Sequence, residues 1–243
     1  MQEHRRERRD NGSVLVLFDI DGTLLLRASE EHAAALRGAL ADVYGVEATA
    51  KVAAAGRTDT AIARDLAALG GVEGARFDEG LARFKELTAS RFAQCAPASL
   101  RDRVAPGIGE LLASLAERGD VRCSLVSGNY EPVARLKLER AGIGSYFAAG
   151  QGAFGSDAEA RNELPPIARA RAGGHPRERT IVVGDTPLDI ACARADGLRV
   201  LAVATGPHSA SELTGADGVA ADGWELAQLL AGELELSERA ACS

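Results

Sequence analysis

Four short runs rich in β-branched or aliphatic residues constrain this chain more than anything else in it: VLVLF at 14–18, RCSLV at 122–126, TIVVG at 180–184 and RVLAV at 199–203. A strand with one face in water alternates apolar with polar residues; these runs hardly do, so each is expected to be buried on both faces. Amphipathic patterns lie between the later runs. Ile108, Leu111, Leu112 and Leu115 recur at the spacing of one helix face, with Gly119 as the expected C-terminal cap. Doubly buried strands alternating with such helices predict an α/β domain, a mostly parallel sheet with helices on both faces. The 243 residues, 46% of them hydrophobic, suffice for one large domain or for one that carries an insertion.

The first crossover breaks the rhythm. Joining two parallel strands takes one helix and two short loops, yet the stretch between Phe18 and Arg122 carries three helical patterns of its own. Leu36, Leu40, Val43 and Tyr44 end at Gly45; Ile62, Leu66 and Leu69 end at Gly70-Gly71; a third pattern centres on Leu81, Phe84 and Leu87. Residues 27–104 are therefore expected to form an inserted helical domain, hinged near Leu26-Arg27 and Ala105-Pro106. Residues 14–26 and 105–236 then make the core, residues 1–13 a disordered tail, and the C-terminal ELELSERAACS a helix end that frays.

Composition narrows the partners. No apolar run approaches the roughly 18 residues of a membrane span, and MQEHRRERRDNGS lacks the apolar centre of a secretory signal, so a cytoplasmic protein that does not enter membranes is expected. A net charge of −7 argues against nucleic acid as partner, and RRERR reads as a solvated arm. Cys95, Cys123, Cys192 and Cys242 show no paired spacing, which supports neither a disulfide framework nor a zinc site.

The first run ends in two carboxylates. Along extended backbone Asp19 and Asp21 project to one side while Ile20 turns away. Asp-Gly alone is an ordinary turn signal. A second acidic pair argues for more: in TIVVGDTPLDIA, Asp185 follows directly on a buried run and Asp189 comes four residues later. Thr186 as N-cap, Pro187 at N1 and Asp189 at N3 would form a capping arrangement worth about 1 kcal/mol, which accounts for Asp189 and leaves Asp185 unexplained. Open parallel sheets bind ligands at the carboxyl ends of their strands, where Asp19, Asp21, Ser127-Gly128-Asn129 and Asp185 all fall. Converging carboxylates are unfavourable without a hard cation, and all-oxygen ligands favour Mg²⁺. SGNYEP adds a hydroxyl, backbone N–H groups freed by Gly128 and a helix N-terminus, so a phosphate is expected beside the cation.

DIDGT, SLVSGN and GDTPLD, in that order and on strand ends, resemble the first, second and fourth motifs of the haloacid dehalogenase-like hydrolases. The long insertion, with GRTDTAI at 56–62, is similar to the helical cap of the phosphoglycolate phosphatase and β-phosphoglucomutase branch. The resemblance implies a Rossmann-like core with a cap, and a Mg²⁺-dependent phosphomonoester hydrolase that acts through an aspartyl phosphate on a small phosphorylated metabolite, phosphoglycolate being the nearest guess. It implies Asp19 as nucleophile and Asp21 as the acid–base residue, with a pKa raised by the carboxylates around it. Asp19, Asp21 through its backbone oxygen, Asp185 and Asp189 are implied as Mg²⁺ ligands. Ser127, Gly128, Asn129 and Thr23 are implied around the phosphate. The third motif usually supplies a lysine, and none follows Lys137; by position the candidate is Arg161 in SDAEARNELPPIA, against the alternative of a solvated surface arginine. Asp21 favours phosphatase over dehalogenase chemistry, because a departing halide needs no proton. A phosphosugar mutase and a catalytically silent binding module are the alternatives.

Arg57 is expected to project from a loop of the insertion, with Gly56 as a turn and Thr58 capping the helix of Ile62 and Leu66, and to read a substrate carboxylate; the alternative is an exposed arginine beside Asp59. His4 and His32 are expected to be solvated, His175 and His208 to lie in loops, and Trp224 to pack the last helix against the sheet.

Overall fold

The computed structural model describes residues 13–241. The expected disordered tail lies outside the described residues except for Ser13, which is buried. Six strands form one sheet: β1 (Val14–Phe18), β2 (Val121–Ser127), β3 (Ala153–Phe154), β4 (Thr180–Gly184), β5 (Arg199–Val203) and β6 (Gly218–Ala220). All pairings are parallel and the order is β3-β2-β1-β4-β5-β6. The four aliphatic runs are β1, β2, β4 and β5. The two strands missing from the sequence reading are edge strands of two and three residues, too short to carry a period.

Alternation along β1 shows why the run had to be apolar throughout. Val14, Val16 and Phe18 enter one core cluster with Leu111 and Leu112, while Leu15 and Leu17 enter another with Leu164 and Ala168. The first face is covered by helices α4 (Ile108–Glu117), α5 (Glu131–Ala141) and α8 (Gly223–Ala241); the second by α6 (Leu164–Arg171) and α7 (Pro187–Ala195). Two expectations fail here. Helix α4 stops at Glu117 and is capped by Arg118 in extended conformation, so Gly119 lies beyond the cap. Helix α8 turns Leu226, Leu230 and Leu234 to the sheet, a stripe of i, i+4, i+8; Trp224 sits about 200° from Leu226 on a 3.6-residue turn and is 52% exposed.

Between β1 and β2 lie α1 (Glu30–Tyr44), α2 (Asp59–Leu69) and α3 (Gly74–Cys95), the three expected helices. Gly45, at φ 70°, ends α1 as a left-handed cap, and the Thr58 hydroxyl accepts from the Ala61 amide to start α2. These helices share an apolar cluster of Leu36, Leu40, Leu66, Phe77, Phe84 and Phe92, which continues into α5 through Tyr130 and Val133. The connecting strands run side by side at the expected hinges: Leu26 N donates to Arg103 O at 2.7 Å and Ala105 N to Leu24 O at 3.0 Å. Next to them Arg27 takes φ 53°, a left-handed conformation that costs a non-glycine residue about 1 kcal/mol.

Candidate active site

The strand register delivers the acidic groups to one edge. Phe18 pairs with Leu125 and with Val183, so the residues that follow β1, β2 and β4 emerge together. Asp19 is pinned there by its amide, which donates to Val183 O at 2.9 Å. Above this edge, facing α1 and α2, opens a cavity of about 560 Å³ with Asp19, Asp21, Asn129, Arg161 and Asp185 on its floor.

The floor divides into two halves. In the first, Asp19, Asp185 and Asp189 are buried and each offers a carboxylate oxygen, all within 4.8 Å of one another. The Arg161 guanidinium donates to Asp19 Oδ1 at 2.7 Å and also to Asp189 Oδ1; its side chain is only 8% exposed, so it is no surface arginine. Burial first, and then the neighbouring carboxylates, push the pKa of both Asp19 and Asp185 well above the usual carboxylate range, with Arg161 opposing the rise at each. Asp185 Oδ1 accepts from the Thr23 hydroxyl at 3.1 Å, while its Oδ2 is buried without a hydrogen-bond partner. Gly22 and Gly206 make room for that carboxylate, since a Cβ on either would fall 2.1 or 1.7 Å from Oδ2.

Asp189 does two things. With Thr186 it forms the capping box of α7: the Thr186 amide donates to Asp189 Oδ2 at 3.0 Å and the Asp189 amide to Thr186 Oγ1 at 3.2 Å. Its other oxygen faces Arg161 and the cluster.

In the second half, Asp21 turns its carboxylate away from this group. Lys137, fully buried on α5, donates from Nζ to Asp21 Oδ1 at 2.8 Å and Oδ2 at 2.6 Å, and to Asn129 Oδ1 at 2.8 Å. The Asn129 amide donates to Asp21 Oδ2 at 2.9 Å. Lys137 also contacts His32 Nδ1 at 3.3 Å; His32 Nε2 meets Asp59 Oδ2 at 3.0 Å, and Asp59 Oδ2 accepts from the Tyr130 amide at 2.7 Å. Burial raises the Asp21 pKa, but Lys137 and then His32 outweigh it and the net shift is downward. This corrects the sequence expectation of a raised value: the carboxylate crowd acts on Asp19 and Asp185, and a buried lysine shields Asp21 from it.

The structure places four other expected residues as follows. Thr23 is spent orienting Asp185. The Asn129 side chain braces Asp21 and Lys137, and its backbone N–H donates to Ser127 Oγ at 3.3 Å. Gly128 is where the helical layer rests on the core: its carbonyl accepts from the Asp59 amide at 2.8 Å, and a Cβ would fall 2.0 Å from the Arg57 carbonyl oxygen. Arg57 lines the cavity, but its guanidinium donates to Asp65 at 2.7 Å and to the carbonyls of Ala53 and Ala61, so the fork meant for a substrate carboxylate is engaged by α2 and its leader.

Sequence reading missed Lys137, His32 and Asp59. The signal was present: Lys137 falls four residues after Val133 and four before Ala141, and His32 four before Leu36, so each is a polar residue on its helix's buried stripe. His32, expected in solvent, is 5% exposed.

The donor set fits a hard divalent cation: three clustered carboxylates, one with an orphaned buried oxygen. No helix among the described residues is long and apolar enough to cross a membrane.

A family model for haloacid dehalogenase-like hydrolases matches residues 16–194. Among solved structures, the chain is similar to β-phosphoglucomutase from Clostridium difficile, with 16% identity over 92% of this chain and 97% of that one and a TM-score of 0.68. It is similar to CbbY from Rhodobacter sphaeroides in complex with phosphate, with 21% identity over 88% and 96% of the two chains and a TM-score of 0.60. A protein described as a predicted phosphoglycolate phosphatase from Haemophilus somnus shares 18% identity over 90% and 98%, with a TM-score of 0.61. No curated protein sequence matches the chain.

Proposed function

Because the chain belongs to the haloacid dehalogenase-like hydrolase family, we propose that it is a Mg²⁺-dependent phosphomonoester hydrolase that works through an aspartyl phosphate. The observation that carries this reading is the split floor, in which two carboxylates two residues apart sit in opposite electrostatic settings.

Asp19 is the nucleophile. Its amide is fixed by β4 and its Oδ1 is held by Arg161, leaving Oδ2 to attack phosphorus in line. Arg161, in the place of the family's lysine, opposes the rise in the Asp19 pKa and lends positive charge to the transferring phosphoryl oxygens, with Ser127 and the Gly128 amide beside it. Asp19, the backbone oxygen of Asp21, Asp185 and Asp189 would hold Mg²⁺, which when bound supplies charge neutralisation for phosphate and carboxylates alike. Thr23 positions Asp185 for that task.

Asp21 is the acid–base residue. Lys137 and Asn129 fix its carboxylate and keep it ionised in the free enzyme, the form that takes a proton from the hydrolytic water. A dianionic phosphate beside it adds negative charge and draws its pKa back up, so that it can carry the proton to the leaving alcohol. Residues 27–104 act as a cap that closes over the cavity and excludes water during the first step.

The test is phosphate release from an aryl phosphate with Mg²⁺ and with chelator. Release that needs Mg²⁺ supports the reading; none with Mg²⁺ sinks it. Phosphate migration between two positions of a sugar would favour the mutase alternative.

A further inference from the structure

Resting on the phosphatase reading, we propose that the alcohol released by this enzyme is apolar, an aliphatic or aromatic body several carbons long, and that the inner faces of α1 and α2 are what select it. The catalytic floor accounts for only part of the cavity. Opposite it stand Ala33 and Leu36 on α1, Val52 in the following segment, and Ile62 and Leu66 on α2, all lining the same space. Ala33 and Leu36 are neighbours on the helix face that begins at His32; Ile62 and Leu66 are an i, i+4 pair on the face that begins at Asp59. None of the five side chains can bond a hydroxyl.

The polar groups on this wall, apart from the exposed Arg27, Ser29 and Arg37, are already partnered. His32 is taken by Asp59 and Lys137, Asp59 by His32 and the Tyr130 amide, and Arg57 by Asp65 and two carbonyls. A sugar phosphate would place several hydroxyls against this surface without partners, and burying unpaired polar groups is unfavourable. Phosphoglycolate would leave most of about 560 Å³ unfilled, a volume in the ordinary range for drug-sized ligands. Arg27 and Arg37 also line the cavity but are exposed to solvent.

The experiment measures kcat/KM with Mg²⁺ for n-alkyl phosphates from methyl to hexyl, beside phosphoglycolate and a hexose phosphate. It also measures binding of the matching alkylphosphonates, which cannot be hydrolysed. Each added methylene that enters the apolar wall should raise kcat/KM by about fourfold, the value of one buried CH₂, and hexyl phosphate should exceed both polar esters. Ala33→Asp and Ile62→Asn, checked for folding by thermal melts, should flatten the chain-length slope. A flat or falling slope with measurable turnover overturns the proposal, as does preference for phosphoglycolate or the hexose ester. Absence of turnover for every ester, with the phosphonates still binding more tightly as they lengthen, overturns the phosphatase reading and keeps the apolar site. Absence of both trends overturns both.

Discussion

Asp19 and Asp21 leave the same strand two residues apart, yet one enters a group of carboxylates and the other a niche built around a lysine. In the first half of the floor, anions outnumber the one guanidinium that Arg161 supplies, and burial makes every negative charge costly. In the second, Lys137 and Asn129 satisfy both Asp21 oxygens with four hydrogen-bonding contacts among the three side chains. The difference teaches that side-chain direction at a strand end, set here by what α5 offers, decides the chemistry more than sequence spacing does. One half waits for a cation; the other brings its own.

The strongest way to break this comparison is to remove the nucleophile. Asp19→Asn should lower turnover by about 10⁴-fold or more while the protein stays folded, as loss of a nucleophile does in other covalent catalysts. Next comes Lys137→Met, which leaves the Asp21 charge without its buried partner. Denaturant titration should show a loss of about 3 kcal/mol, the low end for a broken buried pair because Asp21 keeps some solvent contact. Adding Asp21→Asn should recover part of that loss; if it deepens the loss instead, the pair does not act as described.

The two halves should also respond to pH with opposite sign. Asp19 is raised from 3.8 to about 7 and Asp185 from 3.8 to about 8, so the fold holds protons that the unfolded chain has released. Their favourable contribution is complete below about 4 and is lost as pH rises towards about 8. Asp21 is lowered, so its contribution is present above about 4 and lost on acidification. Melting of the chelated protein should therefore fall between about pH 4 and 8, less steeply in Asp185→Asn and less steeply with Mg²⁺. The smallest effect is the helix cap: Thr186→Ala should cost about 1 kcal/mol without changing the Mg²⁺ concentration for half activity, whereas Asp189→Ala should change both.

Much of the floor was legible in the sequence because it hangs on local rules. Apolar runs gave β1, β2, β4 and β5; Thr186-Pro187 gave the start of α7; strand ends gave Asp19 and Asp185. What was not legible depends on which way a side chain turns after the backbone is set. Lys137 reaches Asp21 across 116 positions of sequence and His32 reaches Asp59 across 27, and nothing local specifies either contact. Arg57 shows the reverse: its acceptors, Asp65 and the Ala53 and Ala61 carbonyls, lie within eight residues and engage its guanidinium locally.

The division of labour between the two carboxylates is tested most directly by the leaving-group dependence of Asp21→Asn. With nitrophenyl phosphate, whose leaving group departs without a proton, the variant should keep most of the parent rate. With an alkyl phosphate it should lose about 10²- to 10⁴-fold, the range for general acid–base assistance. Equal losses on the two esters would contradict the account, because Asp21 would then serve the fold or the metal and not the proton.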